Sequence, residues 1–284
     1  MLAFPKTFIT PSAHELPPRV RVLTTTKVLP DAVAPETTLN KIVWSPTPHS
    51  QGAALEAAFA QRGRPLSQFL PSPPLWLQQV HGIEIANVHG AADAAAMRQT
   101  PPIADAAITC EMNVVLAILT ADCLPVVIAN HEALAVAHAG WRGLASGMLE
   151  NTVENITRNK SCAAASLMAW LGPAIGPTAF EVGEEVYAAF DAARDRESAA
   201  CFISTGVKEK APEKWHADLY ALARLKLQRL GITKISGGNE NAWCTYNDAQ
   251  RFYSWRRERD TGRMATFAFQ ESKTEISGKP KILI

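Results

Sequence analysis

NVVLAILTADCLPVVIANHEALAVAHAGWRG, residues 113–143, holds three short apolar runs: NVVLAILT (113–120), LPVVIAN (124–130) and ALAVAHA (133–139). Each is bounded by turn residues and has the length of a buried strand, so together they predict the centre of a sheet. Immediately downstream, LASGMLENTVENITRN (144–159) spaces Leu144, Met148, Val153 and Ile156 at helical intervals with polar residues between them. That pattern predicts an amphipathic helix entered directly from a strand. SLMAWLG (166–172) reads as another strand and GPAIGPTAF (172–180) as a loop. VGEEVYAAFDAARD (182–195) reads as a helix whose acidic first turn suits its dipole. A Leu-, Ala- and Arg-rich helix is predicted over 217–230, stopping at Gly231, which accepts a left-handed C-cap conformation. ITKIS (232–236), FYSWRR (252–257) and MATFAF (264–269) read as closing strands.

Upstream, Pro17-Pro18, Pro71 to Pro74 and Pro101-Pro102 break up long elements, leaving short strands, loops and one helix near 52–62. Strands and helices interleave without repeat or linker, which predicts one α/β domain with a layered, mixed sheet. Residues 1–40 are read as a variable, peripheral segment of that same domain, and 41–284 as its main body.

Composition narrows the function classes. The 284 residues are 47% hydrophobic, 19% charged and 7% aromatic, unlike a disordered chain, a fibre or a disulfide-stapled miniprotein. Lys plus Arg number 28 against 27 Asp plus Glu, so the net charge of +1 provides no field for gripping a nucleic-acid backbone. The five cysteines, Cys110, Cys123, Cys162, Cys201 and Cys244, form no CxxC pair, which predicts reduced thiols and a cytoplasmic protein. The N-terminus lacks the basic and apolar regions of a signal peptide. The most apolar stretch, 114–129, is interrupted by Thr120, Asp122 and Pro125, which argues against a membrane span.

Two of seven histidines have unusual settings, His81 in LQQVHG and His138 in AVAHAGWRG, and Cys123 lies between them in LTADCLPV. All three fall where an apolar strand meets a loop, and strand ends along one sheet edge are where α/β proteins gather ligand-binding groups. Two imidazoles and a thiolate suit Zn²⁺ and would leave the fourth tetrahedral position open, as in catalytic sites. A cysteine at a strand end is also commonly a small buried hydrophobe, and a histidine there is often simply hydrogen-bonded; spacing alone leaves both readings open. Gly82, Gly140 and Gly143 flank the histidines and would allow tight turns or close approach.

LQQVHG, TADCLPV, AHAGWRG, WLGPAIGP, FEVG, CTY and FYSWRR followed by TGRMATFAF resemble, in this order, the signature segments of the laccase-domain or YfiH-type family. Its members have been described as multicopper polyphenol oxidases, peptidoglycan editing factors and zinc-dependent purine nucleoside phosphorylases. The resemblance spans about 75–269. It implies a single three-layer α/β fold, a zinc held by His81, Cys123 and His138, and phosphorolysis of adenosine, inosine, guanosine or methylthioadenosine with adenosine deamination as a second activity. The region 24–44, TTTKVLPDAVAPETTLNKIVW, departs from the family's pattern. Lys27 falls where an arginine is expected, no glycine pair follows, and Arg62 and Arg64 are alternative substitutes.

Zinc at such a site could bring the pKa of water to about 7 for attack on C6 of adenosine. Phosphorolysis instead needs cations that place phosphate against C1′; Arg142, Arg256 and Arg263 are the candidates, though any one of them could equally be a solvated surface residue. Asp122 is a candidate to orient a ligand or shuttle a proton, and could equally cap a turn. True laccase chemistry needs on the order of ten histidines, typically in His-x-His pairs, so seven His without such a pair disfavour copper, leaving at most weak phenol oxidation. A Cys123–His138 nucleophile and base dyad in a hydrolase or amidase competes for the same residues. So does a binding protein without metal or turnover.

Overall fold

The three apolar runs of 113–139 do not share a sheet. The computed structural model describes residues 8–27, 48–61, 65–160, 162–206, 213–238 and 242–272. With strands numbered in chain order, one antiparallel sheet runs β1 (Phe8–Ile9), β2 (Val20–Thr25), β13 (Met264–Gln270) and β5 (Leu116–Thr120). A mixed sheet runs β12 (Lys234–Gly237), β8 (Met168–Leu171), β6 (Leu124–Ala129), β7 (Leu134–Ala139), β4 (Ala106–Thr109) and β3 (Ile85–Val88). A small third sheet orders β10 (Phe202–Ser204), β11 (Trp215–Ala217) and β9 (Glu181–Val182).

β6 and β7 lie in the middle of the six-stranded sheet, as predicted, but β5 lies at the end of the other ladder. Its outer side is met by Leu75, whose backbone bonds to Val115 and Ala117 at 2.9 and 3.1 Å. The reason is that β5 is buried on both faces, and such a strand reads the same in either sheet. The turn at 121–123 carries the chain across, with Asp122 at φ 86°.

Alternation along β6 builds the layers. Val127 and Ala129 join the core shared with β5 and β13, while Val126 and Ile128 join a second core against the helices. The result is three layers, sheet on sheet on helices. β2, within the segment read as peripheral, is an interior strand of the four-stranded sheet, with Val22 and Leu23 buried.

The helices are α1 (Pro48–Gln61), α2 (Ala91–Gln99), α3 (Trp141–Ala145), α4 (Met148–Lys160), α5 (Glu184–Ala189), α6 (Arg196–Ala199), α7 (Leu219–Arg229) and α8 (Trp255–Glu258) among the described residues. The single helix expected after Gly143 is split into α3 and α4 by Gly147 at φ +99°, yet Leu144, Met148, Val153 and Ile156 are all buried as their spacing demanded. α2 arises where a loop was expected. α7 begins at an Asp218 cap, whose carboxylate accepts from Ala221 N at 2.9 Å, leaving Ala217 in β11. It ends before Gly231 at φ +89°. FYSWRR is not a strand: Ser254 Oγ accepts from Arg257 N at 3.2 Å and caps α8. Aromatic residues favoured a strand there, and the cap prevailed.

Candidate metal centre and cleft

Register brings the site together at one end of the six-stranded sheet. Pairing of Leu124 with Ala139 and Pro125 with His138 sets the start of β6 beside the end of β7, so Cys123 emerges next to His138. Ala106 pairs with Ala137, which brings Asp105 against His138; His138 N donates to Asp105 O at 2.7 Å. β3 runs parallel to β4, and the chain entering β3 wraps residues 80–82 over Asp105.

His81, Cys123 and His138 each offer one donor atom, all within 4.8 Å of one another. Cys123 Sγ is 3.7 Å from His81 Nε2, and the two imidazole rings meet edge-to-face with centroids 4.7 Å apart. Tetrahedral zinc bonds of about 2.0–2.3 Å imply donor separations of roughly 3.3–3.6 Å, so small side-chain rotations would close the set. His138 Nδ1 is bonded to Asp105 Oδ1 at 2.8 Å, which leaves Nε2 for the site. The three residues therefore fit a zinc ion by donor type, spacing and tautomer.

The facing thiol and imidazole pair as thiolate and imidazolium, and a metal would displace the proton held by His138. Burial alone would raise the Cys123 thiol, but the facing His138 and His81 bring it down to about 6. Burial would lower the His138 imidazole, and Cys123 with Asp105 raises it to about 9. Backbone strain flanks the donors, with His81 at φ 61° and Asp122 at φ 86°. A Cβ on Gly140 would lie 3.0 Å from both Cys123 Sγ and His81 Cδ2, and one on Gly143 would lie 2.9 Å from Gly82 O; Gly82 itself has room. Close approach, rather than turn geometry, is what two of the three flanking glycines supply.

Above the donors opens a cleft of about 470 Å³. Its apolar walls are Leu119, Trp141, Ile175, Phe180, Leu219 and Trp255, and Arg142, Arg256 and Arg263 all line it. Arg142 is exposed and stacks on Trp141 at 4.3 Å. Arg256 lies over Phe180 at 5.4 Å, with Nη1 donating to Glu181 O at 2.7 Å. Arg263 is the most enclosed: Nη1 donates to Thr261 O and Gly262 O at 2.8 and 3.1 Å, and burial lowers its pKa against the opposing pull of Cys123 and Asp122. Asp122 also borders the cleft, but its carboxylate is occupied. Oδ1 accepts from Thr245 Oγ1 at 2.6 Å, and Oδ2 from Ser254 Oγ at 3.0 Å and Arg256 N at 2.6 Å.

Lys27 does not line this cleft. It is buried over the Tyr253 ring and paired with Glu258 at 3.1 Å. Arg62, Arg64 and most of 24–44 lie outside the described residues. Sequence reasoning missed Asp105, Thr245 and Ser254. Asp105 had a signal, being a lone charge inside the apolar IADAAI.

Residues 56–271 match the family model described as multi-copper polyphenol oxidoreductase laccase. A purine nucleoside phosphorylase of Xylella fastidiosa is 49% identical over 204 residues, 70% of this chain and 73% of its own. The Escherichia coli purine nucleoside phosphorylase YfiH is 44% identical over 200 residues, 70% of this chain and 74% of its own. The crystal structure of Neisseria meningitidis protein NMB0706 superposes with a TM-score of 0.73 at 35% identity, covering 94% of this chain and all of that one. With His81, Cys123 and His138 brought together at one end of the six-stranded sheet and a match spanning most of its length, the chain belongs to the multi-copper polyphenol oxidoreductase laccase family, alongside the YfiH-type proteins.

Proposed function

We propose that the protein is a zinc-dependent purine nucleoside phosphorylase acting on adenosine, inosine, guanosine and methylthioadenosine, with adenosine deamination as a side activity. The observation that carries this reading is a His–Cys–His donor set at the floor of a cleft with three arginines and three aromatic rings in its walls. Relatives named purine nucleoside phosphorylase support the same reading.

His81, Cys123 and His138 would hold the zinc, which when bound supplies Lewis acidity and makes water a usable nucleophile near neutral pH. Trp141, Phe180 and Trp255 offer flat apolar surfaces to a purine. Arg263, Arg256 and Arg142 supply the cations that phosphate needs, and their planar forks suit its oxygens. Charge developing on the ribose during phosphorolysis is then balanced by an anion fixed beside it. Asp122 acts as a positioning residue, since its accepted hydrogen bonds tie the turn carrying Cys123 to the backbone of Arg256.

Copper remains disfavoured by the histidine count, and weak phenol oxidation would be incidental. Five unpaired cysteines fit a cytoplasmic protein, and no helix among the described residues is long and apolar enough to cross a membrane.

A second reading has its own supporting observation. Asp105, His138 and Cys123 form a carboxylate–imidazole–thiol line, the arrangement of a thiol hydrolase such as a peptidoglycan-editing amidase. Chelation separates the two. Zinc restoring nucleoside phosphorolysis at least as well as copper after thorough chelation supports the phosphorylase; hydrolysis surviving chelation and blocked by thiol alkylation supports the alternative.

A further inference from the structure

We propose that Asp105 is the positioning residue of the metal centre: its buried carboxylate holds the turn that carries His81 and fixes which nitrogen of His138 faces the site. This rests on the reading that His81, Cys123 and His138 hold zinc.

Asp105 has no exposed surface, and a carboxylate so placed must be fully hydrogen-bonded. Oδ1 accepts from His81 N at 2.9 Å and His138 Nδ1 at 2.8 Å; Oδ2 accepts from Val80 N at 3.1 Å and Gly82 N at 2.7 Å. Four donors saturate the roughly four lone-pair sites of a carboxylate, so Asp105 has no capacity left to ligate a metal and acts through the histidines. Three consecutive amides aimed at one side chain are what keep His81 at φ 61°. Without the carboxylate those amides would be orphaned and the turn would relax. His138 is gripped twice, through Nδ1 to the Asp105 side chain and through its backbone N to the Asp105 carbonyl at 2.7 Å. Its ring is thereby presented Nε2-first. An asparagine cannot substitute, because its amide would confront a backbone N–H with another donor.

The test measures zinc affinity by competition with a chromophoric chelator on the full chain and on Asp105→Asn. We expect the variant to bind zinc about 10–100-fold more weakly, the usual effect of losing an outer-shell partner, and its cobalt-loaded form to show a changed visible spectrum. Thr24→Val serves as control, removing a buried hydroxyl pair with Thr266 (2.9 Å) in the other sheet. Unchanged affinity in folded Asp105→Asn, or equal weakening in Thr24→Val, overturns the proposal. Should Asp105→Asn not fold, nitrogen NMR of the zinc-loaded unmodified protein decides. A protonated Nδ1 with Nε2 on the metal supports the assignment, and metal on Nδ1 overturns it. An unmodified protein that binds no zinc fails the underlying reading, and this inference with it. Zinc binding unaffected by Asp105→Asn fails this inference alone.

Discussion

The floor of the cleft and its arginine-bearing wall are built on opposite plans. On the floor, His138 belongs to β7, Cys123 directly precedes β6, and His81 is clamped by Asp105, so every donor is fixed by a ladder or a saturated carboxylate. In the wall, Arg142 and Arg256 come from the short helices α3 and α8 and Arg263 from the segment entering β13. Their charges rest on ring faces and main-chain carbonyls rather than on carboxylates. Such a floor suits a metal, whose ligands tolerate little displacement. Such a wall suits an anion, to which long cationic side chains can adjust.

The strongest attempt to break this contrast is removal of a floor donor. Cys123→Ala or His138→Ala should abolish stoichiometric zinc, read by elemental analysis, and lower nucleoside turnover by at least about 10³-fold, the equivalent of losing several kcal/mol of transition-state stabilisation. Circular dichroism must show the fold retained. Full zinc occupancy in either variant would refute the floor assignment.

A wall change should be more selective. Arg263→Met is expected to raise the phosphate KM or lower phosphorolysis by about 10–1,000-fold, the range for one lost charge-assisted contact. Deamination uses water instead of phosphate and should fall less. Equal loss of both activities would erase the distinction between the two regions.

Where floor and wall join, Asp122→Asn replaces one acceptor by a donor facing Thr245, Ser254 or the Arg256 amide. Denaturant unfolding should register a loss of about 1–3 kcal/mol. A stability equal to that of the unmodified protein would mean the junction bears no strain.

The smallest effect concerns Glu258, at the end of α8. Burial would raise its pKa, but Thr261, Arg257 and Lys27 hold it down to about 2, below the ordinary value of 4.5. A depressed carboxyl stabilises the fold above its unfolded pKa, and the contribution disappears as pH falls from about 4.5 towards 2. After solvent screening the gain amounts to about 1 kcal/mol, since the side chain is 35% exposed. Glu258→Gln should flatten that part of the stability curve; an identical acid profile would discount the Lys27–Glu258 pair.

Much of this was legible in the residues because one periodicity and one chemistry happened to coincide. β6, β7, β8 and β13 are short apolar runs between turn residues, and the spacing of Leu144 through Ile156 marked the buried helix face even where Gly147 interrupts the helix. The placing of β5 in a different sheet from β6 and β7 was not legible, because strands buried on both faces carry no alternation to say which neighbours they keep. α8 was hidden because its aromatic residues outweighed a one-residue cap at Ser254. Donors could be read from strand-end position, but Asp105 and Thr245 act through contacts of 24 and 123 residues' separation, which no local pattern records.

The same long separations govern the order of events as the chain folds. Cys123 lies 42 residues beyond His81, and His138 joins them only once β6, β7 and β4 are paired and 80–82 has closed over Asp105. Loop closure on that scale comes after local structure. The nascent polypeptide therefore carries no preformed chelating cluster to capture a stray ion and lock in a wrong arrangement. Metal loading would then read out completed assembly, open only to a molecule whose six-stranded sheet has already paired.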